Sequence, residues 1–384
     1  MRKRDRMLIG ALIIGLLAVT DAKLQADENP PTMEQTEAPQ DGVTERGLQP
    51  DPGLKQGSAG QPNQLKKIIA PEVIGPPQIS AGWTGTCQSS NVGDVTCWDG
   101  DGPPYAMKGV STAKGVSAGV GFEHYHCAIL SNGQVVCSSG SRGNPFGGPQ
   151  SDAVIQGVKN AVTMDLEYGY ACILMTPGDV VCTTPGVGAL SGSVNPILSG
   201  ATAIATGTDH ACAVVQKGRV YCWGYQTGGQ LGPLGNMTGP TPKPVEVPMK
   251  LAARSIAAGR LHTCALMEDG TVWCWGFVPV TGPSGTTQLS LDPIPLVGPR
   301  SKAIAVAAGG WHTCVLLDSG AVQCWGGGGT GQQPRLIPLK KRARTISAGL
   351  VHACVMLEDD TPICWGYAPP NTPYPMGPNW MVVQ

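Results

Sequence analysis

The segment IAAGRLHTCALMEDGTVWCWG, residues 256 to 276, decides the fold. A short apolar run ends in the small pair Ala258-Gly259, an alternating stretch leads from His262 to Met267, Glu268-Asp269-Gly270 turns the chain, and Val272 to Trp275 leads back. Alternation with period two and a glycine-ended turn is the pattern of a β-hairpin. The segment recurs as IATGTDHACAVVQKGRVYCWG (204 to 224), VAAGGWHTCVLLDSGAVQCWG (306 to 326) and ISAGLVHACVMLEDDTPICWG (346 to 366). Looser copies are ISAGWTGTCQSSNVGDVTCW (79 to 98), VSAGVGFEHYHCAILSNGQVVC (116 to 137) and VTMDLEYGYACILMTPGDVVC (162 to 182). Seven units occupy the body of the chain, and a repeat of this kind has to be read before any local structure.

The cysteines give the same count. They fall as Cys87 and Cys97, Cys127 and Cys137, Cys172 and Cys182, Cys212 and Cys222, Cys264 and Cys274, Cys314 and Cys324, and Cys354 and Cys364. The members of a pair are always ten apart, and these pairs use all 14 cysteines. Midway between the members of each pair a three-residue turn ends in Gly93, Gly133, Gly178, Gly218, Gly270, Gly320 or Asp360. The last residue of such a turn is left-handed, which suits Gly and, less comfortably, Asp. Counting outward, Met267 faces Thr271 and Cys264 faces Cys274, so each pair is directly cross-strand, with Cα atoms expected about 4.5 Å apart. One disulfide per hairpin follows. Zinc fails on spacing, because its sites use knuckles two to four residues wide and a second knuckle or histidines.

Upstream of each hairpin lies a short apolar strand, such as AIAVAAG (303 to 309); downstream, after a Gly/Pro-rich stretch, comes another, such as PKPVEVP (242 to 248) or PRLIPL (334 to 339). Four short strands at intervals of 40 to 52 residues, with no 3.6-residue periodicity, predict an all-β, seven-bladed β-propeller with four-stranded blades and one cross-strand disulfide per blade. Gly 54 and Pro 34 fit a chain that turns this often.

The propeller is expected over residues 66–384, after two other segments. Residues 1–26 have the shape of a signal peptide or short N-terminal anchor, with Arg2, Lys3, Arg4 and Arg6 ahead of an apolar run from Met7 to Val19. That run is shorter than the 20 or so residues that span a bilayer. Residues 27–65 read as a disordered acidic Pro/Gln-rich spacer. The leader and the complete pairing of cysteines agree on an oxidising destination, secreted or periplasmic or retained at the cell surface. Charged residues are only 14% of the chain and the formal net charge is -1, so no basic footprint marks a nucleic-acid binder.

The pattern SAG, then HTCAL, then DG and CWG, followed once by Gly229-Gln230-Leu231-Gly232, resembles the repeat of the regulator of chromosome condensation family. The resemblance is specific in blades four to seven and looser in one to three; blade three departs most, with Asp165, Leu166 and Glu167 near where the others put Ala-Gly. It implies a seven-bladed propeller and a protein-binding platform. The nuclear members of the family act on a small GTPase and bind chromatin. Here the leader, the disulfides and the neutral body predict no small GTPase and no nucleic acid, and instead an extracytoplasmic protein partner for a monomer that meets membrane only through an uncleaved leader.

The expected function is a non-catalytic protein-binding platform outside the cytoplasm. A structural surface or envelope component is the alternative, and a hydrolase with an acidic site in the central channel a remote one. No cofactor, metal or catalytic residue is expected. Asp94, Asp99 and Asp101 are near one another in sequence but miss the spacing of a calcium loop. His210, His262, His312 and His352, each two residues before a cysteine, and Trp98, Trp223, Trp275, Trp325 and Trp365, each just after one, recur once per blade and read as packing. The candidates for partner binding are positions that vary inside the repeat, in the loop joining the first two strands: Trp83, Phe122, Asp209, Arg260, Trp311 and Leu350. Segments 225 to 242 and 277 to 295 read as spacer loops or a raised lip, and Lys340, Lys341, Arg342 and Arg344, with Arg335, form the only dense basic cluster.

Overall fold

The structure, a computed structural model, describes residues 76–82, 85–99, 103–119, 125–139, 153–155, 157–167, 170–182, 196–281, 287–297, 302–326 and 334–366. The leader, the spacer, the start of the expected propeller segment, Trp83 and Phe122 lie outside them.

Seven antiparallel sheets follow one another along the chain. Blade 1 is β1 (Ile79–Ala81), β2 (Gly85–Ser89), β3 (Val95–Asp99) and β4 (Tyr105–Ala106); blade 2 is β5 (Ala113–Ala118), β6 (Tyr125–Leu130), β7 (Val135–Ser139) and β8 (Ala153–Val154). Blade 3 is β9 (Ala161–Glu167), β10 (Tyr170–Met175) and β11 (Asp179–Cys182). Blade 4 is β12 (Ala201–Thr206), β13 (His210–Val215), β14 (Arg219–Gly224) and β15 (Thr241–Val247); blade 5 is β16 (Ala253–Ala258), β17 (His262–Met267), β18 (Val272–Thr281) and β19 (Thr287–Val297). Blade 6 is β20 (Ala303–Ala308), β21 (His312–Leu317), β22 (Val322–Gly326) and β23 (Arg335–Ile337), and blade 7 is β24 (Ala343–Ala348), β25 (His352–Leu357) and β26 (Pro362–Gly366). Among the described residues blades 3 and 7 therefore have three strands rather than the four expected.

Hairpin chemistry is as the spacing requires. Gly93, Gly133, Gly178, Gly218, Gly270, Gly320 and Asp360 all have positive φ, from 63° at Asp360 to 131° at Gly178. The register that follows places the two cysteines of each hairpin opposite one another. Disulfides join Cys87 to Cys97, Cys127 to Cys137, Cys172 to Cys182 and Cys212 to Cys222 in blades 1 to 4. They join Cys264 to Cys274, Cys314 to Cys324 and Cys354 to Cys364 in blades 5 to 7. Their Cα atoms are 4.0–4.1 Å apart, as directly opposed cross-strand pairs and a little closer than expected.

Strands β13, β17, β21 and β25 are buried at every residue, because both faces of each are covered by neighbouring blades. The tryptophans after the second cysteine face backwards round the ring. Trp223 joins the blade 3 core, Trp275 that of blade 4, Trp325 that of blade 5 and Trp365 that of blade 6. Truncating a buried Trp of this kind to Ala costs about 3–5 kcal/mol.

The histidines are the polar joints between blades. His210 Nε2 meets Thr263 Oγ1 at 2.9 Å, His262 Nε2 meets Thr313 Oγ1 at 2.8 Å, and His352 Nε2 meets Thr86 Oγ1 at 2.8 Å. Thr263 donates its only proton to the Gln230 carbonyl at 2.9 Å, so it must accept from His210, which fixes that ring as the neutral Nε2–H tautomer. Blades 1 to 3 have Gly85, Tyr125 and Tyr170 where blades 4 to 7 carry histidine, and blade 2 puts His126, beside the blade 1 disulfide, where blades 1, 5 and 6 put Thr.

The innermost strands leave a narrow channel, and glycines let their ends meet. A Cβ on Gly207, Gly259, Gly309 or Gly349 would collide with the carbonyl oxygen of Gly259, Gly309, Gly349 or Gly82 of the next blade in turn. The last of these contacts closes the ring. Leu350 N–H donates to Gly82 O at 3.2 Å, Ala81 N–H to Ser347 Oγ at 2.9 Å, and Ile79 and Ala81 share a core with Cys354 and Met356. No helix among the described residues is long and apolar enough to cross a membrane.

Candidate functional site

Asp209, Arg260, Trp311 and Leu350 each lie between the first and second strands of their blades, on one rim of the ring. The ring brings them into sequence. The Arg260 guanidinium lies over the Trp311 ring, 5.1 Å from its centroid, and Trp311 remains 48% exposed. Asp209 stands on the other side of Arg260: burial pushes its carboxyl pKa up, and the Arg260 charge partly offsets that rise. Gly310 N–H donates to the Leu350 carbonyl at 3.0 Å and Arg260 N–H to the Gly309 carbonyl at 3.3 Å, so backbone bonds between blades hold these loops.

Beside this rim stands a structure that the sequence reading leaves undecided. Residues 277–281 and 287–295 continue the blade 5 strands: β18 and β19 run past Gly276, which pairs with His262 at the start of β17, and so rise beyond the 259–261 loop. The 225–240 segment of blade 4 braces it. Phe277 N–H donates to the Leu261 carbonyl and Tyr225 N–H to the Asp209 carbonyl, while the Gln230 carbonyl accepts Trp275 Nε1–H at 2.9 Å. A Cβ on Gly228 would run into the Phe277 ring, and one on Gly229 into Leu291. The hairpin leaves Leu289 52% and Leu291 38% exposed, and Tyr225 at its foot 43%. Sequence reasoning missed these apolar residues, although the alternation Thr287, Leu289, Leu291 is the signal of a strand with one apolar face.

The channel opens within the same rim. Its cavity measures about 170 Å³ and is walled mainly by small or aliphatic residues of the innermost strands. Asp165 and Glu167 of β9 are the titratable residues among those that line it. Asp165 takes the register position of Ala205 and Ser347, opposite the first cysteine, and its oxygens accept Thr206 N–H at 2.7 Å and Leu166 N–H at 3.1 Å. Burial raises its pKa to about 6, and burial plus the Asp165 charge raises that of Glu167 to about 8. Two residues apart on one strand, both stand on one wall, so they cannot flank a scissile bond as the carboxyl pair of a glycosidase does. The cavity is also smaller than the 300–1,000 Å³ usual for ligand pockets.

Other sequence candidates fall elsewhere. Asp94 is exposed in the blade 1 hairpin turn with its N–H on Ser90 Oγ, and the Asp99 side chain and Asp101 lie outside the described residues. The basic cluster is largely neutralised by the blade 7 turn: Lys341 pairs with Asp359, Arg342 with Glu358 at 2.9 Å and Arg344 with Asp360 at 2.6 Å. Cys87, Cys97 and His126 come within 4.8 Å of one another, but the two sulfurs are bonded to each other and offer no thiolate.

Residues 201–230, 253–277 and 303–332 match the regulator of chromosome condensation repeat. Among curated proteins, the ultraviolet-B receptor UVR8 of Arabidopsis thaliana is 35% identical over 74 residues, 19% of this chain and 17% of that protein. The E3 ubiquitin-protein ligase HERC2 of Homo sapiens is 32% identical over 126 residues, 30% of this chain and 2% of that protein. The matched stretches thus span less than a fifth of these relatives. Among solved structures, Prp20p of Saccharomyces cerevisiae, studied with its binding to Gsp1p and histones, has a TM-score of 0.59 at 18% identity, covering 71% of this chain and 80% of that one. The ectodomain of the Physcomitrella patens receptor kinase CR4 has a TM-score of 0.51 at 22% identity, covering 76% and 73%.

Prp20p corrects one expectation. Its binding to the small GTPase Gsp1p overturns the exclusion of a small GTPase as a partner for a chain of this fold. The exclusion leaned on the leader and the disulfides, which speak to compartment and not to the shape of a binding face, and on a near-neutral body, although net charge sums over a whole surface whereas a protein partner meets one local face. The protein has the seven-bladed propeller fold of regulator of chromosome condensation repeats, with a disulfide in each blade.

Proposed function

We propose that this protein is a non-catalytic platform that binds another protein through the rim carrying Asp209, Arg260, Trp311 and Leu350. Trp83 and Phe122 belong to the same proposed face, and the blade 5 hairpin forms its raised edge. The observation that carries the reading is the Arg260–Trp311 stack, with Trp311 48% exposed; Leu289 and Leu291 of the blade 5 hairpin are exposed as well. Arg and Trp are the side chains that most often anchor interfaces, and a stack held by its own backbone loses little freedom on binding. Seven disulfides support an oxidising compartment, and the basic leader supports secretion, export to a periplasm or retention at the cell surface. That the CR4 structure is an ectodomain is consistent with this placement.

The test is affinity capture from the native secreted, periplasmic or surface fraction, with wild type beside an Arg260→Ala/Trp311→Ala double variant. A stoichiometric partner retained by wild type and lost at least about tenfold by the variant is expected, since two anchors at about 2 kcal/mol each exceed that factor. Equal retention by both proteins would remove this face, and concentration-dependent self-association with no partner would favour a structural role.

A further inference from the structure

Among the described residues the blades have five fourth strands, β4, β8, β15, β19 and β23, and the outer edge of each is guarded except at one place. β4 and β8 are two residues long, β23 is three residues between Pro334 and Pro338, and β15 carries Pro242, Lys243, Pro244 and Glu246. Shortness, proline and charge are the devices that keep a strand edge from pairing with another chain. The lower half of β19 has them too, in Asp292, Pro293 and Pro295. Its raised half, Thr287-Gln288-Leu289-Ser290-Leu291, has neither proline nor charge. The backbone of that half faces outward. Phe277 N–H is spent on the Leu261 carbonyl, on the inner side of β18, so Phe277 and its register partner Leu289 form a non-hydrogen-bonded pair. Leu289 N–H and C=O therefore point away from β18, and by alternation along β19 so do those of Thr287 and Leu291. None of these groups meets a backbone partner among the described residues. The Leu289 and Leu291 side chains add apolar surface at the same place, 52% and 38% exposed.

We propose that this edge pairs, antiparallel, with the same edge of a second copy of the chain, about a two-fold axis at Leu289, giving a weak dimer in place of the expected monomer. Outward-pointing residues pair only with one another, and the edge is its own complement in that register. With Leu289 opposite Leu289 of the second copy, Thr287 lies opposite Leu291, and all three positions exchange hydrogen bonds. A shift of two residues one way sets Thr287 against Pro293, which has no N–H, and a shift the other way carries Leu291 past the start of β19. Charge agrees. The paired stretch is neutral, so it selects no oppositely charged stranger, and the Asp292 residues of the two copies fall at opposite ends of the pairing. Space agrees as well, because the paired halves rise beyond the 259–261 loop and an antiparallel arrangement sets the two propellers at opposite ends of them. A surface that meets itself across a two-fold axis is also the commonest way that a chain forms oligomers.

The test is sedimentation equilibrium of the disulfide-intact protein from about 5 to 500 µM, because a pairing this short is smaller than standard interfaces and should be weak. A monomer–dimer equilibrium is expected. Leu289→Pro should weaken it at least about tenfold, since by symmetry it removes two backbone bonds between the copies. Its circular dichroism should stay native, because the N–H it loses serves no ladder within the blade and Pro293 and Pro295 sit on the same strand. Leu289→Lys sets like charges opposite one another and should weaken the dimer to a similar degree, which keeps the comparison should Leu289→Pro misfold. Mild oxidation should link two copies of Leu289→Cys at least about tenfold faster than two copies of Leu291→Cys, since the Cα atoms are about 5.5 Å apart in the first case and about 14 Å in the second. The Arg260→Ala/Trp311→Ala variant should dimerise like wild type, so failure of the rim as a binding face and failure of this pairing are told apart. A monomer at every concentration, a dimer equally strong in Leu289→Pro and Leu289→Lys, or equal linking by both cysteine variants would each overturn the pairing. A captured protein released by Leu289→Pro from a wild type that stays monomeric would overturn it too, and would give the edge to that protein's strand.

Discussion

Acidification should unfold this protein through its inter-blade histidines. Burial lowers the pKa of His210 and His312 to about 3 and that of His262 and His352 to about 4, against about 6.5 in the unfolded chain. A folded pKa below the unfolded one means that the unfolded state binds the extra proton. Each ring therefore costs nothing above about pH 7 and progressively more below pH 6.5, about 2 kcal/mol at pH 5. Asp165 and Glu167 act with the opposite sign, because their folded pKa values are raised to about 6 and about 8. They favour the folded state at low pH and lose that contribution as pH rises through those values. Four imidazoles against two carboxyls leave a difference of about two protons between pH 6 and 5, a loss of about 2–3 kcal/mol over that unit, with stability greatest near about pH 7. That is a large part of the 5–15 kcal/mol typical of a domain. Guanidinium unfolding of the oxidised protein at pH 7.5, 6 and 5 measures it. His262→Gln, which keeps a donor near the Nε2 position, should reduce the loss at pH 5 by about 2 kcal/mol relative to wild type. Stability unchanged from pH 7 to 5, or imidazole NMR signals of the folded protein titrating near 6.5, would refute the reasoning.

Three further outcomes test the joints of the ring. Thr263→Val should destabilise by about 1–3 kcal/mol, because it strands the buried His210 N–H, whereas Thr263→Ser should keep most of the stability in the same denaturant assay. Gly259→Ala should cost about 1–3 kcal/mol or prevent secretion of folded protein, since its Cβ meets the Gly309 carbonyl and the His262 ring; thermal melting and yield report it. Replacing Cys264 and Cys274 together by Ala should lower stability by up to about 3 kcal/mol, the entropy of a short closed loop. Non-reducing peptide maps of that variant should still show the six other pairs, each ten residues apart, and a link between blades would contradict the register.

What the sequence determines by itself is whatever is local to a hairpin. Cysteines ten apart around a three-residue turn can meet only across adjacent strands, so Cys264–Cys274 and its six counterparts, the left-handed Gly270 and Asp360, and the sevenfold count were all legible. The packing roles of Trp275 and His262 were legible for the same reason: a residue repeated once per blade has to serve the contact between blades. The tertiary structure decides what depends on ring closure. Arg260 and Trp311 are 51 positions apart in the chain, and only the placing of blade 6 beside blade 5 stacks them. The basic run at 340–344 is only a dense cluster of like charge in the sequence, and it takes the blade 7 turn to set Glu358, Asp359 and Asp360 against it. Asp165 and Glu167 read in one dimension as a worn copy of a repeat; in three they are the carboxylates on the wall of the channel, because closing seven first strands into a ring turns those positions toward a shared, enclosed space.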